Sequence, residues 1–463
     1  MKKVNSKKLF GLIFAVLAII IGFLLPTSAE VTRTGLLALA VFLGVIVMWI
    51  CETMPMSVSA LLLIFLMPAL GVMDLNTVFP SFGGTSFFFA IATFFVSGAL
   101  ENTSVPLRIC RALAKLTKGD SRKLVIALFF ASAITSAIMS NLSTCIIYLN
   151  LSLALLRANN CEVGKSNMGK CLMIGIPATA GVGGLITPAG TPGNALIMGL
   201  LETVGIELTF MSWTLLFAPL ALLTVLICGI WCTAIFKPEP IDAAALDALN
   251  AKLEEHGKFS TKEIKTVVVI VVMLVCWLLG TWIPVLNVTV VAIIGMAVLF
   301  MPGIDILEWK TASQKVNWDL CFTMGAVGVF ISALTSTGIM DWLVQNLFSG
   351  LNSWNIYIMF FVIGLVVCVI RAFIPTAPAI AALFGAPLLA AAAMTGASPV
   401  ALLAIPAFWA CAPMLLWIEP IFLFSYGYNY YKPLDVLKYG SIPCLILIAL
   451  MSFLPNYVAL FGF

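Results

Sequence analysis

Apolar runs of about twenty residues, the length that crosses a bilayer as a helix, alternate along this chain with short polar stretches. The pattern predicts membrane segments near 9–25, 36–50, 57–72, 82–102, 123–157, 171–201, 212–236, 264–284, 287–302, 318–338, 356–394, 400–427 and 440–460. Backbone groups in lipid must be satisfied internally, which leaves only helices and closed barrels. No alternating ten-residue pattern of the barrel type appears, so the expected fold is an all-α polytopic membrane protein. Composition agrees. Of 463 residues 62% are apolar and 10% charged, against about 25% charged in soluble domains, and the mean hydropathy is +1.13.

Four of the longer segments carry polar, Gly or Pro clusters in their interiors. In 123–157 the cluster is "TSAIMSNLST", in 171–201 "ITPAGTPGNAL", in 356–394 "RAFIPTAP", and 400–427 is broken near "WIEP". Such segments read as hairpins that enter and leave on one side, or as helices broken halfway. The positive charges discriminate. With the N-terminus inside and 123–157 and 356–394 re-entrant, 22 of the 24 Lys and Arg fall on the inner side. Arg33 alone lies outside and Arg371 alone within the membrane. If either hairpin spanned, the bias downstream of it would invert.

Weak internal repetition runs alongside. "GALENTSV" (98–105) resembles "SALTSTGI" (332–339) at an offset of 234, "MSNLS" (139–143) stands where "IPTAP" (374–378) stands at 235, and "TPGNALIMG" (191–199) matches "EPIFLFSYG" (419–427) at 228. The first hairpin opens inside and the second outside, so the two halves are inverted repeats. Inverted repeats with discontinuous helices are the mark of secondary transporters that bind near the midplane. The expected division is an N-terminal helix at 1–34, a first repeat at 35–236, a charged cytoplasmic connector at 237–263 and a second repeat at 264–463. The start of the chain resembles a signal peptide, but its apolar run is long and lacks a clear small-x-small site, so a retained first helix is expected. Residues 105–120 alternate Leu107, Cys110, Leu113 and Leu116 with Arg108, Arg111, Lys115 and Lys118, the pattern of a helix lying in the membrane interface.

Chemistry is sparse. Twelve cysteines are scattered without a CxxC pair, which supports neither a disulfide framework nor a zinc site. The one histidine, His256, lies in the polar connector, so a catalytic triad or a His-ligated metal within the membrane is not expected, and neither is an enzyme. The net charge of +4 has a topological explanation and implies no nucleic acid.

The breaks themselves suit ions. Ser136 and Ser140 are four apart and share a helix face, with Asn141 at the expected turn. Hydroxyl, amide and exposed carbonyl oxygens are the hard ligands an alkali cation takes. Pro188, Gly190, Pro192 and Gly193 cannot continue a helix. Asn194 is placed to cap the following half-helix, whose N-terminus offers positive dipole to an anion.

"FVSGALENTSVPLRICRALAKL", "SNL" at a hairpin tip, "GTPGNALIMG" and the inverted second half resemble the divalent anion/sodium symporter family, whose members carry dicarboxylates, citrate or sulfate. The resemblance covers nearly the whole chain after the first helix, strongly in the first half and weakly in the second. It implies an elevator-type homodimer in the cell membrane, coupled to sodium ions. It also implies a sodium site from Ser136, Ser140, Asn141 and the Gly190 carbonyl. The substrate would then be faced by Asn141, Leu142, Thr191 and Pro192, with Thr376 and Pro420 from the second half. Leu142 replaces the family's usual Thr, and the second tip lacks its Asn.

In that second half Arg371 stands one turn before the tip and Glu419 on the opposing break. A guanidinium at the midplane is tolerated when paired with a carboxylate or lining a polar cavity. The sharp expectation is that Arg371 is a fixed substitute for a second sodium, with Glu419 as counter-ion. A structural ion pair, a proton-coupled carrier or exchanger using Glu419, and a zwitterion carrier that divides its substrate between Arg371 and Glu419 remain as alternatives.

Overall fold

The computed structural model describes residues 6–28, 30–254, 258–348, 354–374, 377–412, 414–415 and 419–463. Within them the chain is helical, with no strand. The first helices are α1 (Ser6–Leu24), α2 (Arg33–Ile50), α3 (Met56–Ala69) and the short α4 (Leu75–Val78). Next come α5 (Thr85–Leu100), α6 (Val105–Lys115), and the pair α7 (Ser121–Ser136) and α8 (Asn141–Ala158). The run α9 (Asn167–Gly183), α10 (Pro192–Glu202) and α11 (Phe210–Phe236) closes the first half, and α12 (Ala243–Glu254) follows. The second half holds α13 (Thr261–Leu279), α14 (Val288–Leu299), α15 (Trp309–Ala312), α16 (Trp318–Ser336) and α17 (Ile339–Phe348). It ends with α18 (Ile356–Arg371), α19 (Ala377–Thr395), α20 (Pro399–Cys411), α21 (Pro420–Tyr426), α22 (Pro433–Met451) and α23 (Leu454–Ala459).

Among the described residues five helices are long and apolar enough to cross a membrane, namely α1, α2, α8, α11 and α22. The segments with polar interiors are instead split: 123–157 into α7 and α8, 171–201 into α9 and α10, 356–394 into α18 and α19, and 400–427 into α20 and α21. The stops are local. Ser140 accepts from the Ser143 N–H to start α8, Ser166 from Gly169 to start α9, and Ser398 from Ala401 to start α20, each as an N-cap oxygen. Arg33, the cation expected outside, donates to the carbonyls of Gly22, Phe23 and Leu25 at 2.8, 2.6 and 2.9 Å. It thereby satisfies the orphan C-terminus of α1.

Two packed groups emerge. In one, α5 lies on α14, and α16 on α3 and α2. In the other, α9 is held by α7, α8 and α11, while α20 is held by α19 and α18. Small residues permit the closest approach: a side chain at Gly183 would begin 2.3 Å from the Ala133 carbonyl oxygen, a backbone contact that only glycine allows. The groups meet chiefly where α5 runs along α10. The connector expected to be merely charged contains α12, whose Ala245 and Leu249 are buried and which packs on α8 and α6. Its amphipathic spacing over "AAALDALNAKLE" had been masked by the flanking charges.

Candidate functional site

The turn between α7 and α8 meets the break between α9 and α10. Ser136, fully buried, donates to Asn141 Oδ1 at 2.7 Å. A Cβ added to Gly184 would lie 2.5 Å from Asn141 Oδ1, and one added to Gly190 would lie 2.5 Å from the Gly184 carbonyl oxygen. Glycine is therefore required at both positions for the tip to seat on the break. Asn194 Nδ2 donates to the carbonyls of Gly184 and Thr187, both at 2.8 Å, and the Thr187 hydroxyl donates to the Ala137 carbonyl. This cross-bracing satisfies carbonyls left open at the end of α7 and in the break after α9. Thr191 is the N-cap of α10 without a side-chain cap bond, and Pro192 opens the helix, leaving the positive end of its dipole uncovered.

In the second half the end of α18 holds a cation of the protein's own. Arg371, the last residue of α18, is 2% exposed. Its Nε donates to Trp409 O at 3.1 Å, Nη1 to Ile374 O at 2.5 Å and Nη2 to Ala410 O at 3.4 Å. Nη2 also approaches Glu419 Oε2 to 2.9 Å, off the line of a hydrogen bond, since that oxygen has no aligned donor. The guanidinium thus sits against the C-termini of α18 and α20 together, where negative dipole ends converge, and beside the N-cap residue of α21. The two clusters touch: Cys411 Sγ lies 3.8 Å from Asn194 Oδ1, and Cys145 Sγ 3.6 Å from Ile421 O.

Helix α5 holds this assembly from the side. Ser97 Oγ accepts from the Ser140 N–H at 2.8 Å and Glu101 from the Ser143 hydroxyl at 2.6 Å. Lys315 pairs with Glu101 at 2.8 Å. At the other end of α5, Thr85 and Ser86 donate to the Glu202 carboxylate of α10 at 2.9 and 2.8 Å.

A family model described as the sodium:sulfate symporter transmembrane region matches residues 6–459. The chain belongs to this family. Family and relatives are transporters, not enzymes. The sodium-dependent dicarboxylate transporter SdcS of Staphylococcus saprophyticus is 23% identical over 372 residues, 75% of this chain and 71% of its own. SdcS of Staphylococcus aureus matches to the same extent. Two solved transporters share the fold. Neisseria gonorrhoeae MtrF, described as illuminating a class of antimetabolite efflux pumps, has a TM-score of 0.63 at 12% identity, covering 98% of this chain and 95% of its own. Alcanivorax borkumensis YdaH, described as having an unusual topology, has a TM-score of 0.58 at 14% identity over 99% of each chain.

Within this family member the expected residues are distributed as follows. Ser136, Asn141 and Gly190 come together around Gly184. Ser140 flanks them, its hydroxyl capping α8 and its backbone held by Ser97. Asn141, Thr191 and Pro192 are half-buried, and Leu142 is 37% exposed. Arg371 and Glu419 meet. Thr376 lies outside the described residues; Pro420 begins α21, and its side chain lies outside them too. Asn194, expected to cap α10, instead bridges the break, because the carbonyls behind it are better acceptors for its amide than a helix start needing an oxygen. Gly184, Thr187, Ser97, Glu101 and Glu202 were not anticipated. Glu101 and Glu202 carried a signal, as lone acids ending apolar segments. Thr144, one turn beyond Ser140, was also missed: it is buried with an unpartnered hydroxyl.

Proposed function

We propose that this multi-pass membrane transporter is a sodium-coupled carrier of small organic anions with one sodium site per chain. Ser136, Ser140, Asn141 and the Gly190 carbonyl would ligate the ion. The substrate carboxylate would lie at Asn141, Leu142, Thr191 and Pro192, against the open N-terminus of α10. Arg371 takes the part of a second cation, with Glu419 as counter-ion. Inverted repeats, re-entrant hairpins at 123–157 and 356–394, an elevator motion and a homodimer belong to the same reading, as does a cytoplasmic N-terminus in the inner membrane.

One observation carries it. Ser136, Asn141, Gly184 and Gly190 of the first tip-and-break contact bring together neutral oxygen atoms, while beside the second break Arg371 donates to three carbonyls. Hard neutral oxygens suit an alkali ion, and the Ser136–Asn141 hydrogen bond at 2.7 Å ties up the two side chains that would have to turn toward one. The buried free hydroxyl of Thr144 adds an oxygen to the neighbourhood. The SdcS proteins are named sodium-dependent dicarboxylate transporters, which favours sodium and a carboxylate here. Proton coupling through Glu419 is disfavoured because its carboxylate is already engaged by Arg371 at 2.9 Å. A zwitterion divided between the two would have to break that pair. Uptake of labelled carboxylates into proteoliposomes, driven by a sodium gradient, a proton gradient or neither, tests the proposal. Uptake that ignores sodium would overturn it.

A further inference from the structure

A cavity of about 840 Å³ lies between the two packed groups, with α10 and α19 on one wall and α5 and α16 on the other. Leu196, Leu200, Met324, Val327, Ile331 and Leu389 are among its apolar lining, with hydroxyls from Ser86, Ser332, Thr335 and Ser336. Among the described residues its one charged group is Glu202, already hydrogen-bonded to Thr85 and Ser86. Ser332 and Ser336 also line a second cavity of about 420 Å³ with Thr32, Thr34, Asp74 and Thr77. The two spaces adjoin and, in the orientation proposed above, open outward. No Lys or Arg lines either among the described residues. The larger cavity ends at Ala195, four residues and roughly 6 Å of helix from Thr191.

We infer that the substrate is a monocarboxylate with a compact apolar body, its carboxylate at the start of α10 and its body in this cavity. This rests on the transport reading above and narrows its substrate class. Three independent observations agree. The route carries two acids and no base, so a dianion would shed water there without a countercharge. Arg371, the one base near the breaks, is 2% exposed and taken by three carbonyls and Glu419, so a second substrate carboxylate finds no partner. Leu142 presents an apolar side chain, 37% exposed, at the tip itself.

The test is ligand-induced thermal stabilisation of the purified full chain in nanodiscs with sodium, using benzoate, hexanoate, acetate, succinate and sulfate. Benzoate or hexanoate should bind at least roughly tenfold more tightly than acetate or succinate, the effect of burying two or so methylenes. Ala390→Trp, which fills the cavity from α19, should abolish that advantage and leave acetate unchanged; Ser332→Trp from the opposite wall serves if the first variant does not fold. Ser332→Arg should shift preference toward succinate. Succinate or sulfate binding best to the wild type would overturn the inference and leave an organic or inorganic anion transporter standing. No response to any of the five would remove both readings. If the Trp variants alter stability only with added lipid, and leave the carboxylate responses as in the wild type, the cavity houses an acyl chain and the inference fails.

Discussion

Removing the Arg371 guanidinium should cost far more than removing the Glu419 charge. Arg371→Ala leaves Glu419, whose side chain is 12% exposed, as an uncompensated carboxylate, and breaking one side of a buried pair costs on the order of 3–5 kcal/mol. It also strips donors from the carbonyls of Trp409, Ile374 and Ala410, at about 1–3 kcal/mol for each that stays dry. Glu419→Gln leaves the guanidinium with those carbonyls and with two negative helix ends, so about 1–2 kcal/mol is expected. In Arg371→Ala/Glu419→Gln no charge is stranded. The double variant should therefore be more stable than Arg371→Ala alone, a coupling of at least about 2 kcal/mol. Arg371→Lys keeps the charge but not the planar fork that reaches several acceptors, and should fall between. Thermal unfolding of the four proteins gives the stability cycle, and uptake across a range of sodium concentrations gives the functional one. If Arg371 replaces a cation, Arg371→Ala should regain part of its stability at high sodium. Additive costs for the two substitutions would mean that Arg371 and Glu419 are not coupled.

Gly184→Ala should lose the sodium response and about 1–3 kcal/mol of stability, because its methyl would begin 2.5 Å from Asn141 Oδ1; unfolding with and without sodium checks this. Glu202→Ala frees α10 from Thr85 and Ser86 and should change the accessibility of a cysteine placed at Thr335, read by labelling rate. Cysteines at Ser166 and Ser398, in a cysteine-depleted background, should label from opposite faces if the hairpins are re-entrant. Glu239 is partly buried, which would raise its pKa, but the N–H groups of Met168 and Asn167 and the Ser166 hydroxyl at the start of α9 together hold it below the usual carboxylate value. Its folded pKa is depressed, so its contribution is complete above the ordinary carboxylate range and disappears as pH falls through the lowered value. Glu239→Gln should accordingly cost about 0.3–1 kcal/mol at neutral pH and flatten the acid limb of stability against pH.

Where helices stop was largely written in the sequence. Gly, Pro and Ser within "TSAIMSNLST" and "ITPAGTPGNAL" end α7 and α9 within a few residues of the expected places, because caps and breakers act over one turn. The meeting of Arg371 and Glu419 was legible because two lone charges in an apolar segment have few other partners. What α5 does was not legible. Ser97 and Ser140 are 43 residues apart, and Glu202 and Ser86 are 116 apart, so which hydroxyl finds which acceptor depends on how the two groups of helices dock. The bracing by Asn194 was misjudged for a related reason. An amide can serve either the helix it opens or the carbonyls it faces, and only the folded break presents the latter. The helix within the connector escaped notice because its apolar face is narrow and becomes meaningful only against α8 and α6.

The proposed function links sodium bound at the first tip-and-break contact to transport. It is tested most directly by carboxylate uptake into proteoliposomes under an imposed sodium gradient, comparing wild type with Asn141→Ala. Wild-type uptake should collapse when the gradient is dissipated, and Asn141→Ala should show none above background even though the variant folds. Equal sodium-driven uptake by the two proteins would contradict it.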